Sequence, residues 1–112
     1  MSEHRSEHRK EKVEELISHL ASEFINREAS HKSLITVTSI HLGDDFKNAV
    51  IFFTVFPEQQ SVAALDFLKR QRSDFKIFFK EKSKVGQIPF FDFAIDEGEK
   101  SRQRVEEISL NL

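Results

Sequence analysis

Residues 48–56 read Asn48-Ala49-Val50-Ile51-Phe52-Phe53-Thr54-Val55-Phe56, and residues 88–96 read Ile88-Pro89-Phe90-Phe91-Asp92-Phe93-Ala94-Ile95-Asp96. The first run is almost continuously apolar, β-branched and aromatic, the composition of a strand buried on more than one side. Pro57 ends it. In the second run Phe91, Phe93 and Ile95 alternate with Phe90, Asp92 and Ala94, which predicts a strand with one apolar face. Pro89 sits near its start, where a missing amide donor is tolerated. Between the two runs, residues 60–84 have helical periodicity. A helical crossover makes two neighbouring strands parallel, with a right-handed connection.

Working outward from this unit, residues 33–42 are rich in β-branched residues and predict a strand. Gly43-Asp44-Asp45-Phe46-Lys47 supplies turn chemistry before residue 48, so the pair reads as an antiparallel hairpin. Further upstream, Val13, Leu16, Ile17, Leu20, Ala21, Phe24 and Ile25 recur at helical spacing, predicting a helix over residues 10–28 with one continuous apolar stripe. Residues 1–9, with Ser-Glu-His-Arg twice, predict a flexible polar lead-in. His4 and His8 would share a face if that stretch were helical, but two histidines fall short of a metal ligand set. Downstream, Asp96 with Glu99 three residues on is a capping box for a last helix, whose apolar edge is Val105, Ile108 and Leu112. The order α-β-β-α-α-β-α predicts an α+β domain over residues 10–112: a three-stranded mixed sheet with helices on one face.

The crossover does not read as one clean helix. Val62, Ala63, Leu65, Phe67 and Leu68 make one apolar face, and Phe75, Phe78 and Phe79 make another. Gln71 and Arg72 fall where the first stripe would need apolar residues. A kink near Arg72-Ser73-Asp74 follows, with Ser73 and Asp74 better suited to capping a second helix than to lying inside one. Lys80, Lys82 and Lys84 load its last turns, and Gly86 is expected as a left-handed stop.

Length and composition bound what such a domain can do. At 112 residues there is room for one domain. Twelve Phe with no Tyr and no Trp make a core of rings that need no hydrogen-bond partner. No cysteine means no disulfide, thiolate metal site or cysteine nucleophile, which suits the cytoplasm. No apolar run approaches a membrane span. No phosphate-cradling glycine loop or other catalytic or cofactor motif is present. Asp44-Asp45 reads as turn chemistry. Asp92 and Asp96 share a strand face and could flank a metal, but read more simply as a solvent-facing residue and a helix cap. His31 and His41 bracket the first strand with no nucleophile near them in sequence. The composition points to binding rather than catalysis.

The crossover also concentrates charge. From Asp66 to Gly86 the basic residues Lys69, Arg70, Arg72, Lys76, Lys80, Lys82 and Lys84 outweigh Asp66, Asp74 and Glu81 by +4, whereas the whole chain carries −2. A basic helix pair on an acidic domain is an electrostatic footprint for a phosphate backbone. The plainer alternative is a set of solvated helix faces.

These residues resemble a known family. Val37-Thr38-Ser39-Ile40, then residues 45–55 from Asp45-Phe46-Lys47 to Thr54-Val55, are similar to the hairpin of ribosome-binding factor A. So are Ile88-Pro89-Phe90-Phe91-Asp92-Phe93-Ala94-Ile95-Asp96, Arg104 and Ile108 in the last helix, and Arg27-Glu28 closing the first. The resemblance spans about residues 10–110. It implies a type II KH-like fold with a kinked helix pair in place of a Gly-x-x-Gly clamp. It also implies a non-enzymatic, monomeric factor, without cofactor, membrane or small-molecule substrate, that binds the immature small ribosomal subunit and its RNA late in rRNA maturation and supports growth in the cold. Where the family has an Ala-x-Gly kink this chain has Arg72-Ser73-Asp74. Ser30-His31-Lys32 replaces an Asp-Pro-Arg turn, and Arg102 stands at a glycine position. The RNA-contacting residues expected are Lys69, Arg70, Arg72, Ser73, Lys76, Lys80, Lys82 and Lys84. The alternative is a protein-interaction domain on the same frame that has lost RNA binding.

Overall fold

The computed structural model describes residues 2–30 and 32–98. Helix α1 (Ser2–Glu28) leads into strand β1 (Leu34–Leu42), strand β2 (Asn48–Phe56), a short 3-10 turn at Glu58–Gln60, helices α2 (Ser61–Arg70) and α3 (Arg72–Lys82), and strand β3 (Phe90–Ile95). The helical backbone of α1 thus starts eight residues before the expected onset at Lys10. The expected last helix, with Glu99, Arg102, Arg104, Val105, Ile108 and Leu112, lies outside the described residues, as does His31.

The sheet order is β1-β2-β3, with β1 antiparallel and β3 parallel to the central β2. Both orientations follow from the connections: a short turn joins the first pair and a helical crossover the second. Gly43 N–H donates to the Asn48 carbonyl across the turn (2.9 Å), and Lys10 of α1 holds the turn's Asp44 at 2.8 Å. The left-handed position of this turn is taken by Phe46 (φ 60°) rather than by a glycine.

A bulge between Val37 and Ser39 sets the faces of β1. In the spacing Ile35, Val37, Ile40, Leu42, one extra residue keeps all four apolar side chains on the side of Val55, Phe53, Ile51 and Ala49, their respective partners on β2. Phe91 and Phe93 of β3 join that side through their pairing with Ala49 and Ile51. The α1 residues Val13, Ile17, Leu20, Ala21, Phe24 and Ile25 cover it, together with Ala64 and Leu68 of α2 and Phe75, Phe78 and Phe79 of α3. All three helices therefore occupy one face. Strand β2 is buried on both sides, as its composition requires: Ile51, Phe52 and Phe53 are successive and each is at most 1% exposed.

The core is organised around Phe75. Its ring meets Phe91 at 4.7 Å, Phe24 at 5.4 Å, Phe79 and Phe93 at 6.0 Å and Phe78 at 6.4 Å, between centroids. Edge-on and tilted packing of this kind adds specific attraction to the burial itself. One side chain of α3 thereby ties α1 and β3 together and fixes how the crossover sits on the sheet.

Candidate nucleic-acid interface

The crossover breaks at Gln71 (φ −93°, ψ 4°), one residue before the expected kink. Gln71 N–H donates to the carbonyls of Phe67 and Leu68 (3.1 and 3.0 Å), closing α2, while its own carbonyl accepts from Phe75 N–H (2.8 Å) and opens α3. Ser73 and Asp74 consequently lie in the first turn of α3 and cap nothing; the N-cap is Gln71, without a side-chain bond. The reason is visible in Arg72. Its Nε donates to the Lys69 carbonyl (3.0 Å), satisfying a terminal group of α2 from inside α3. Asp74 still suits the positive end of the α3 dipole.

At the other end α3 stops at Lys82, and Ser83 is extended, so Lys84 lies beyond the helix. Gly86 does not take the expected left-handed conformation, since Gly98 is the described glycine with positive φ (83°). Ser83 N–H bonding to the Phe79 carbonyl (2.9 Å) closes the helix without it.

Helical geometry sorts the predicted basic residues. With the buried side of α3 set by Phe75, Phe78 and Phe79, steps of 100° place Arg72, Lys76, Lys80 and Ser73 on one flank and Asp74, Ile77 and Glu81 on the other. On α2, whose buried side is Ala64 and Leu68, Lys69 joins the flank of Arg72 while Arg70 points outward. Lys82 turns the other way, with its Nζ 5.8 Å from the Phe78 ring, the same ring that Arg27 of α1 covers at 5.0 Å. Five of the eight expected residues thus share a flank: Lys69, Arg72, Ser73, Lys76 and Lys80. Arg70, Lys82 and Lys84 do not converge with them.

That flank borders β3, an edge strand. Asp92 on β3 accepts from Lys69 Nζ and Arg72 Nη1, both at 3.3 Å. These ion pairs are between a third and a half exposed, and contribute on the order of 0–1 kcal/mol each. Their electrostatic effect is larger than their stability effect, because one carboxylate offsets part of the charge of two cations. Lys76 and Lys80 are exposed and have no ion pair among the described residues. On this flank the accessible positive charge is therefore carried chiefly by Lys76 and Lys80 of α3.

Asp92, a solvent-facing side chain by strand alternation alone, is a contributor to this flank. Its alternation with Phe91 and Phe93 showed the strand face but could not show what lay across from it, twenty residues away on another helix. Asp96, which could have shared a metal with it, instead accepts from the Thr38 hydroxyl and from Gly98 N–H. Among the described residues no three His, Asp or Glu side chains gather as a metal site, and no helix is long and apolar enough to cross a membrane.

Comparison with known proteins bears on the same frame. The family model described as ribosome-binding factor A matches residues 9–109. Among solved structures, ribosome-binding factor A from Thermus thermophilus superposes with a TM-score of 0.69 at 19% identity, covering 80% of this chain and 98% of that one. A solution structure from Thermotoga maritima, described as a putative ribosome binding factor A, gives 0.64 at 20% identity, covering 78% and 86%. At such identities the likeness is one of fold. No curated protein sequence matches the chain.

Proposed function

The chain belongs to the ribosome-binding factor A family, and on that premise we propose that it binds the immature small ribosomal subunit and its RNA, as a monomer and without catalysis, to assist late rRNA maturation in the cytoplasm. The observation that carries this reading is the basic flank of the crossover, where Lys76 and Lys80 stand exposed one turn apart beside Lys69 and Arg72. Such a row fits phosphates of a backbone and positions the protein without reading sequence.

Salt dependence tests it. Each phosphate neutralised contributes roughly 0.7 (single strand) to 0.9 (duplex) log units of affinity per decade of salt. The Lys76→Gln, Lys80→Gln double variant is expected to flatten the slope for small-subunit rRNA fragments by about 1.4–1.8 and to deplete the protein from precursor small subunits in sucrose gradients. An unchanged slope would remove the flank from the interface. Partners that survive nuclease treatment, with no RNA affinity, would replace RNA binding by a protein-interaction role.

A further inference from the structure

An exposed aromatic ring stands at the edge of the same flank. Phe90 opens β3 and, unlike Phe91 and Phe93, is 58% exposed. Its backbone is pinned to the sheet, with Phe90 N–H donating to the Lys47 carbonyl at 2.8 Å. The Arg72 guanidinium lies 5.8 Å from the ring centroid, within reach of a cation–π contact. That guanidinium is itself held on two further sides, by the Lys69 carbonyl through Nε and by Asp92 through Nη1. An oriented cation, an exposed ring on a rigid strand and neighbouring lysines are thus brought together from α2, α3 and β3.

We propose that Phe90 and Arg72 form a nucleotide subsite, in which an unpaired RNA base stacks on the Phe90 ring while Arg72 engages the adjoining phosphate. The inference rests on the RNA-binding reading above and adds to it a preference for single-stranded over duplex RNA. A base held inside a duplex offers no free face to the ring, whereas an unstacked base does. Stacking on an aromatic side chain is tolerant of base identity, because every base has a π-face. The occupant argued for is a nucleotide rather than an apolar protein side chain, because the cations Lys69, Arg72 and Lys76 on the flank that the ring borders outnumber the one carboxylate there, Asp92. In this arrangement Asp92 is a positioning residue: it aims Arg72 along the ring and does not touch the base.

The chain has no Trp and no Tyr, so a Phe90→Trp variant carries one reporter at the proposed site. The probes are a single-stranded oligoadenylate RNA and a blunt-ended RNA duplex of equal length. The single strand is expected to quench the emission of Phe90→Trp on binding, and the duplex to leave it unchanged. Phe90→Leu is expected to weaken single-strand binding about 5- to 150-fold with the salt slope retained, since no cation is lost. Phe90→Leu binding the single strand as tightly as the parent protein, or losing equally on the blunt-ended duplex, would overturn the stacking subsite while the Lys76 and Lys80 slope effect stood. Absence of RNA binding by the parent protein would instead overturn the function it rests on.

Discussion

Replacing Phe75 by alanine tests the claim that one ring of α3 fixes the crossover on the sheet. Phe75 is fully buried and touches rings from α1, α3 and β3 at 4.7–6.4 Å. Phe→Ala in a core costs about 3–5 kcal/mol, with the larger values where neighbours cannot collapse into the gap. Here each neighbouring ring is also held by another partner: Phe24 by Phe78, Phe91 by Phe79 and Phe93 by Phe53. Collapse would break those contacts, so a loss of about 4–5 kcal/mol is expected. A chain this long has a total stability of about 6–17 kcal/mol, so the variant folds in the cold but melts about 15–20 °C lower, taking roughly 4 °C per kcal/mol. Because the chain lacks Trp and Tyr, urea unfolding is best followed by far-ultraviolet circular dichroism. Phe90→Ala is the control and should lose no more than about 1 kcal/mol, its ring being largely in solvent already. A loss below about 1.5 kcal/mol for Phe75→Ala, with an unchanged denaturant slope, would show that the rings repack and that Phe75 does not organise the crossover.

Three further outcomes follow from the geometry. Asp92→Asn frees Lys69 from the shared carboxylate, Arg72 already meeting a phosphate in the parent protein; stability should fall by about 2 kcal/mol or less over the two lost pairs, while filter binding of single-stranded rRNA should show a salt slope steeper by up to about 0.7. The Asp44 carboxyl is held below its ordinary value of 3.8 by the hydrogen bond and charge of Lys10, so its contribution to stability is present above that value and lost as pH falls through the lowered one. Carbon-detected NMR titration should place the Asp44 midpoint below 3.8, and Lys10→Ala should return it. Gly98→Ala forces an L-residue to φ 83° and should destabilise by about 1–2 kcal/mol, whereas Gly86→Ala meets neither strain nor a neighbour and should stabilise by about 0.4–1 kcal/mol, both read from thermal melts.

The frame of this protein was determined by local sequence. A period of 3.6 over Val13 to Ile25, apolar faces at Val62 to Leu68 and Phe75 to Phe79, β-branched and aromatic runs at residues 33–42, 48–56 and 88–96, and turn chemistry at Gly43 to Lys47 place each described α-helix and strand, although α1 begins at Ser2 rather than Lys10. The short and helical connections then dictate antiparallel and parallel pairing. Even the break in the crossover is legible, because Gln71 and Arg72 interrupt an apolar stripe. What tertiary structure alone decided lies in contacts between distant residues. The break falls at Gln71 because Arg72 reaches back to the Lys69 carbonyl, which relieves Ser73 and Asp74 of a capping role. The excess of +4 in the crossover was visible as composition. Its division into a flank of Lys69, Arg72, Ser73, Lys76 and Lys80, with Lys82 turned toward α1, needed the buried side of each helix. Asp92 and Phe90 entered the site only through the parallel register of β3 beside β2, which carries them to the edge where the helices end. Periodicity reports which face of an element is apolar; it carries no information about which charge another element brings to the opposite face.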